Sequence, residues 1–273
     1  MIPLPEPATA RPRLGWRGGV AAQGARLLPE ETAIAFSYNR VAHAVMMATP
    51  ASFEDFAVGF SLNERIIASP GDIEDLAIVA APSGIELRMW IDGGRMEALT
   101  ARRRQIAGPT GCGLCGLESL DDAMRPAPPV AAEPRFRAQA LQEAMAALGD
   151  AQPLHAATRA VHAAALWLPT ASGAGGLAAV REDVGRHNAL DKLAGALARS
   201  GMDGSAGAVL LTSRVSVELV QKTARIGAAV IVAVSAPTAL AVRVADAARI
   251  TVAAIARADG FEVFTHPSRI ELS

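Results

Sequence analysis

Residues 208–242 read AVLLTSRVSVELVQKTARIGAAVIVAVSAPTALAV, and their rhythm decides the fold. Ala208–Leu211 and Ala229–Val234 are short apolar runs of strand length. Between them Val215–Gly227 carries apolar residues at helical spacing and ends in glycine. The same alternation continues on both sides. Upstream lie an apparent strand, Leu177–Val180, and an apparent helix, His187–Arg199. Downstream lie a helix, Thr238–Arg249, and a strand, Ile250–Ile255. Strands alternating with helices predict βαβ units and a mostly parallel sheet.

The strand-to-helix loops hold the polar residues: Arg181 to Asn188, Thr212-Ser213-Arg214, and Ser235-Ala236-Pro237-Thr238. In a parallel sheet these loops share the carboxyl edge, where α/β proteins usually bind ligands. Ser213, Arg214 and Ser235, with Arg181 and Arg186 nearby, are candidates for an anion or phosphate site at helix N-termini. Simple capping of the helices by Ser213 and Ser235 explains either serine alone. Asp183 and His187 stand about one helical turn apart and could pair to order their loop; a purely structural role suits them as well.

The first half of the chain reads differently. Residues 1–26 are expected to be a flexible lead-in. Residues 27–125 form a smaller α+β portion, and 135–273 the α/β domain. Thr32–Phe36 and Val41–Met47 flank a turn and predict a hairpin. Thr49-Pro50 looks like a helix cap and first-turn proline, and Phe53, Phe56, Ala57 and Phe60 fall on one face, as core residues do. Ile73–Ala80, Ile85–Ile91 and Arg95–Thr100 read as strands, the last two joined by a turn at Asp92-Gly93-Gly94. A short helix is expected near Leu117. Arg125–Pro134 is the linker candidate. Phe136–Leu148 is expected to be helical, and Val161–Trp167 to pair with Leu177–Val180.

Composition sets outer limits. Apolar residues make up 51% of 273, so a core is feasible, and aromatics only 4%, so aliphatic side chains must fill it. A net charge of −1 gives no reason to expect nucleic acid or a membrane surface. No apolar run reads as a span or a secretory leader, and a soluble, cytoplasmic protein is expected. Of the basic residues only Lys192 and Lys222 are lysine; the rest are arginine.

The sharpest chemical signal is Gly111-Cys-Gly-Leu-Cys-Gly116, which holds both cysteines of the chain, Cys112 and Cys115. The glycines let another molecule approach closely, and a cysteine just before a helix is more readily a thiolate, the reactive form. A thiolate can take the outer sulfur of a persulfide by the same exchange that governs disulfides. A structural zinc site lacks two further ligands in pattern, so no structural metal is expected. A thioredoxin-like motif would sit between a strand and a long helix. A zinc deaminase needs a His-x-Glu signature that is absent.

Taken together, the motifs resemble the formate dehydrogenase accessory sulfurtransferases, the FdhD sulfur-carrier family. The resemblance runs over roughly residues 27–270. It rests on VREDVGRHNALDK at 180–192, GCGLCG at 111–116, SRVSVELVQK at 213–222, SAPTALAV at 235–242, FEVFTHP at 261–267 and MMATPASFEDFAVGF at 46–60. It implies a three-layer αβα, cytidine deaminase-like C-terminal domain. It also implies a homodimer that accepts sulfur from a cysteine desulfurase and passes it to the molybdenum bis(molybdopterin guanine dinucleotide) cofactor, bound as substrate, for formate dehydrogenase. Cys112 would carry the persulfide and Cys115 assist or resolve. Phe261, Glu262, Val263, Phe264, Thr265 and His266 match the family's cofactor-contact stretch, with Ser213, Arg214 and Ser235 as candidate phosphate contacts. Two positions depart from the family pattern. Thr158-Arg159-Ala160-Val161-His162 replaces a Gly-Gly step, and no glycine separates Ser213 from Arg214. A non-catalytic cofactor-binding chaperone and a thiol–disulfide oxidoreductase are the alternatives.

Overall fold

The computed structural model describes residues 2–106, 126–170 and 175–272. Residues 8–29 form a two-stranded ribbon, β1 (Ala8–Arg17) and β2 (Val20–Pro29), where the sequence predicts a flexible lead-in. Gly18 and Gly19 both take positive φ, 56° and 82°, as a two-residue hairpin turn requires.

The ribbon leads into a four-stranded sheet of β3 (Thr32–Tyr38), β4 (Val41–Ala48), β5 (Ile73–Ala81) and β6 (Gly84–Ile91), ordered β4-β3-β6-β5. The predicted β3–β4 hairpin is present. Helix α1 (Phe53–Asn63) lies on one face, and Phe36, Phe56 and Phe60 form an aromatic cluster there. Two predictions fail. The cap of α1 is Ser52, not Thr49. Arg95–Thr100 lies within α2 (Gly93–Ile106) rather than in a strand; Asp92 accepts from the Arg95 backbone and starts the helix instead of a hairpin. The Cys112–Cys115 loop and the helix expected near Leu117 lie outside the described residues.

Residues 126–134 carry no regular element, yet they are packed. Val130 is buried and donates its N–H to the Ala248 carbonyl at 2.9 Å, so this segment does not act as a free linker. Then follow β7 (Phe136–Arg137), α3 (Ala138–Asp150), α4 (Pro153–Thr158), β8 (His162–Pro169), β9 (Gly175–Asp183), α5 (Arg186–Arg199), β10 (Ala208–Leu211), α6 (Val217–Ile226), β11 (Val230–Ala233), α7 (Ala239–Ala247), β12 (Thr251–Arg257), β13 (Gly260–Val263) and β14 (Ile270–Glu271). The large sheet has the order β13-β12-β11-β10-β8-β9.

This sheet is mixed. β10–β11 and β11–β12 are parallel, but β8–β9, β8–β10 and β12–β13 are antiparallel. The short Gly-rich connection between β8 and β9 allows only a hairpin, since a parallel return needs a crossover. Both faces are covered. Val209 and Leu211 of β10 pack with α5, α6 and α7, while Ala208 and Leu210 pack with α3 on the other side. Side-chain alternation along a strand explains the split, and burial on both faces explains the continuous apolar runs. Among the described residues no helix is long and apolar enough to cross a membrane.

The two units meet at α1 and α5. A Cβ placed on Gly59 would lie 1.7 Å from the Asp191 carbonyl oxygen, and one on Gly195 would lie 1.9 Å from that of Asp55. Only glycine permits this approach.

Candidate functional site

β9, β10, β11 and β12 run in one direction, because β9 and β10 are both antiparallel to β8. Their carboxyl ends therefore bring the loops at 184–185, 212–216 and 234–238 to one edge, as the sequence predicts. Val215 bridges to Pro237, so the second and third loops lie side by side.

The first loop is fixed by a buried network. The carboxylate of Asp183, fully buried, accepts from Lys192 Nζ at 2.6 Å and from the Thr49 N–H at 3.0 Å on one oxygen. Its other oxygen accepts from the Gly185 N–H at 2.8 Å and from Asn188 at 3.0 Å. Lys192 also donates to the Thr49 carbonyl at 2.8 Å, and Thr49 Oγ1 accepts from the Val184 N–H at 3.0 Å. Thr49 thus gives all three of its polar groups to the other unit. Burial pushes the Lys192 ammonium below its ordinary value, and the Asp183 carboxylate opposes that shift. Next to Lys192 in the chain, buried Asp191 accepts from Asn63 at 2.6 Å and from Lys222 at 2.5 Å. Both lysines of the chain are therefore partners of buried aspartates. A third buried aspartate, Asp55, is held instead by two guanidiniums, those of Arg181 and Arg199. Asp183 pairs with Lys192 and not with His187. Arg181 is also committed, donating to Asp55 at 2.8 Å, which removes it from the expected anion site.

What faces the edge is less complete. Arg186 opens α5, and its buried Nε has no hydrogen-bond partner among the described residues. His187 Nε2 lies 2.7 Å from Glu218 and 3.2 Å from Ser216 Oγ. That hydrogen bond holds the Glu218 carboxyl below its ordinary value against the opposing effect of burial. His162, half-buried at the start of β8, is pushed down by burial and then by Arg186, His155 and His187. The N-termini of α5 and α6 have no side-chain cap, whereas Thr238 caps α7 through the Ala241 N–H at 3.1 Å. Two uncapped N-termini beside Arg186 can receive an anion, and the His187–Glu218 pair can hold or pass a proton.

The predicted contacts divide. Ser213 is buried, donates to the Arg214 carbonyl at 3.0 Å and caps nothing; Ser216 stands at the N-cap of α6. Arg214 is exposed, and Ser235 is half-buried with its carbonyl near the Ile255 N–H. The stretch 261–266 runs away from this edge. Glu262 pairs opposite Ala254, but the His266 carbonyl accepts from Thr251 at the far end of β12. From Ser235 the two ends of the stretch thus differ by about four residues of strand, roughly 13 Å. Phe261 and Val263 pack against the α3 core, Glu262 and Phe264 are exposed, and buried Thr265 spans the Ile250 carbonyl and the Val252 N–H. His266 lies 3.0 Å from the Asp246 carbonyl. At the departure from the Gly-Gly pattern, Arg159 takes φ 61°, the backbone a glycine adopts freely.

The roles of Thr49, Asn188 and Lys192 and the His187–Ser216–Glu218 cluster escaped the sequence reading. The only sequence signal for the lysines was their rarity. Among the described residues no group of three or more His, Cys, Asp or Glu is placed to hold a metal ion.

The fold and edge define a mixed α/β protein with a polar sheet edge where helix N-termini gather. Similarity makes the assignment specific. The FdhD/NarQ family model matches residues 29–271, and the chain belongs to that family. It is 49% identical over 261 residues to the sulfur carrier protein FdhD of Agrobacterium fabrum, covering 95% of each chain. To the protein of that name from Cupriavidus necator it is 50% identical over 256 residues, covering 94% of this chain and 88% of the other. A crystal structure of a formate dehydrogenase accessory protein from Desulfotalea psychrophila shares the fold, with TM-score 0.72 and 23% identity over 97% of this chain and 99% of that one.

Proposed function

We propose that this chain is a sulfur carrier that works as a cytoplasmic homodimer in the maturation of formate dehydrogenase. A cysteine desulfurase is the sulfur donor, and the molybdenum bis(molybdopterin guanine dinucleotide) cofactor is the acceptor, held as substrate. The observation that carries this is family membership over residues 29–271 in a chain that holds the GCGLCG stretch at 111–116.

The thiolate of Cys112 attacks the outer sulfur of the donor's persulfide. A new S–S bond forms on Cys112, the donor's S–S bond breaks, and the donor leaves as a thiolate. No external oxidant is needed. For release, the Cys115 thiol attacks the Cys112 sulfur. Hydrosulfide leaves to the acceptor, and a protein dithiol reductant returns the resulting Cys112–Cys115 disulfide to two thiols by exchange. The uncapped N-termini of α5 and α6, with Arg186, favour the phosphates of the acceptor. Ser235, Arg214 and the edge-facing start of 261–266 extend that surface.

The same edge also favours a second reading, a chaperone that binds the cofactor without using the thiols. Intact-mass analysis after incubation with a desulfurase and cysteine separates the two. A reductant-sensitive gain of one sulfur, absent from Cys112→Ala, supports the carrier. No gain in the wild type, with the desulfurase active on another acceptor, leaves the chaperone.

A further inference from the structure

The β1–β2 ribbon has two unlike faces, and beyond its base both are largely exposed among the described residues. Cross-strand partners in an antiparallel pair share a face. The register therefore puts Ala10, Pro12, Leu14, Trp16, Ala25 and Leu27 on one side. Gln23 is the sole polar residue there. The other side takes all four arginines, Arg11, Arg13, Arg17 and Arg26. Arg13 lies across Gly15 and Gly24, which confirms the arginine face. Leu14 and Trp16 on the apolar face are each 73% exposed. The ribbon's hydrogen bonds to the body lie toward its base, from Arg26 to the Thr158 carbonyl at 3.2 Å and from Thr9 to Glu30 at 3.2 Å.

An isolated two-stranded ribbon is marginal in water, and a bare apolar strip of this length marks a contact. The same chain presents a second partly exposed apolar strip, bordered at Ala33 and Met47 by Ile2, Pro3 and Pro5 and beside Ala35 by the Glu86–Arg88 pair. On the outer face of the four-stranded sheet, Val45 and Met47 of β4 stand beside Ala35 and Ala33 of β3, with Val45 63% and Met47 50% exposed. The chain's own ribbon leaves this face uncovered.

We propose that the ribbon is an exchange arm. In a twofold dimer, the apolar face of each protomer's ribbon packs on the outer β3–β4 face of a second copy, with Arg11, Arg13 and Arg17 left in water. Area favours a second copy over one unrelated partner. Ten residues of strand and two strands of width give a footprint of about 340 Å². One ribbon on one patch buries about 700 Å² in all, the range of weak contacts. Reciprocal exchange makes that contact twice and buries about 1,400 Å², the size of a stable interface. Twofold symmetry makes each copy both giver and receiver. The family match begins at residue 29, the last residue of β2, so the arm precedes the segment that the family model spans.

This deepens the homodimer put forward above, and its failure is separable from that reading. The experiment is light scattering with size-exclusion chromatography on the full chain at micromolar concentration, alongside far-UV circular dichroism and thermal unfolding. Wild type is expected at twice the 28.2 kDa chain mass. Leu14→Glu/Trp16→Glu is expected at 28.2 kDa with the helical signal and the main unfolding transition retained, because the ribbon lies outside the cores. Val45→Glu on the receiving face is expected to give the same monomer. Arg13→Glu, on the face left in water, is expected to stay dimeric. A monomeric wild type would remove the homodimer itself. A dimeric wild type with a dimeric Leu14→Glu/Trp16→Glu variant overturns the arm alone, and a dimeric Val45→Glu overturns the receiving face.

Discussion

The thirteen residues 180–192 contribute to two neighbouring regions with opposite characters. Asp183, Asn188, Asp191 and Lys192 face the joint between the two units, where each is buried and hydrogen-bonded. Arg186 and His187 face the sheet edge, half-buried, one with an orphaned buried nitrogen and the other holding Glu218. The family match covers both sets and cannot separate them. Burial and satisfaction can. A fully satisfied buried network has no capacity left for a ligand, whereas an incomplete, half-open cluster does. Residues at the joint should therefore govern stability, and those at the edge should govern what the protein handles.

The largest effect expected is at the joint. Asp183→Ala leaves the Lys192 ammonium buried without its counter-charge, and unfolding free energy is expected to fall by about 3–5 kcal/mol. Chemical denaturation measures it. Lys192→Met is expected to cost several kcal/mol alone, and the double variant less than the sum, since removing both charges leaves none uncompensated. Strict additivity of the two losses would break the pairing and, with it, the contrast between the regions.

Next comes the helix crossing. Glycine to alanine inside a helix ordinarily stabilises by roughly 1 kcal/mol. At Gly195 the added methyl would collide with the Asp55 backbone, so the sign should reverse. A loss of about 1–3 kcal/mol is expected, as for overpacking. Gly149, near the end of α3, is the control: a methyl added there would meet nothing within 4 Å, and the ordinary gain should appear. Equal behaviour at both glycines would mean that α1 and α5 can part at little cost.

Much of this was legible in the chain. The rhythm of 208–242 located β10, α6 and β11, and apolar runs located β3, β4, β5 and β6. Strand direction was less so. Leu177–Val180 has the composition of a strand buried on both faces, whichever way its neighbour runs, and only the short connection to β8 settles the hairpin. Arg95–Thr100 shows how a turn-like Asp-Gly-Gly can also begin a helix. The ribbon was missed because arginine, proline and glycine in residues 11–19 read as disorder, while its cross-strand faces appear only once the register is known. Thr49 was misread for a different reason. Its partners at Asp183 and Val184 lie 134 and 135 residues away, a separation that no local pattern reports. The carboxyl edge was legible as a place, yet its chemistry was not, because His187 meets Ser216 and Glu218 from another helix.

The smallest stability effects should come from the edge, and their pH dependence sharpens the contrast. His162 titrates below its ordinary value in the folded protein. The unfolded chain therefore takes up that proton first, and stability should decline as pH falls below about 6.5. His162→Gln is expected to flatten that limb. Glu218 is also held low, so its contribution is complete above the unfolded carboxylate value of about 4.3 and is lost as pH falls through the folded one. Glu218→Gln should cost at most about 1 kcal/mol at neutral pH, as partly exposed pairs do, and make the acid limb shallower. Under the proposed function the same variant should reduce sulfur delivery to the cofactor while leaving the mass gain at Cys112 intact, because loading needs only the thiol and delivery needs the edge. Denaturation from about pH 2.5 to pH 8, reaching below the lowered Glu218 value, and the loading assay on one protein preparation test both halves. A variant that lost several kcal/mol and delivered sulfur normally would place Glu218 among the joint residues and undo the division drawn from burial.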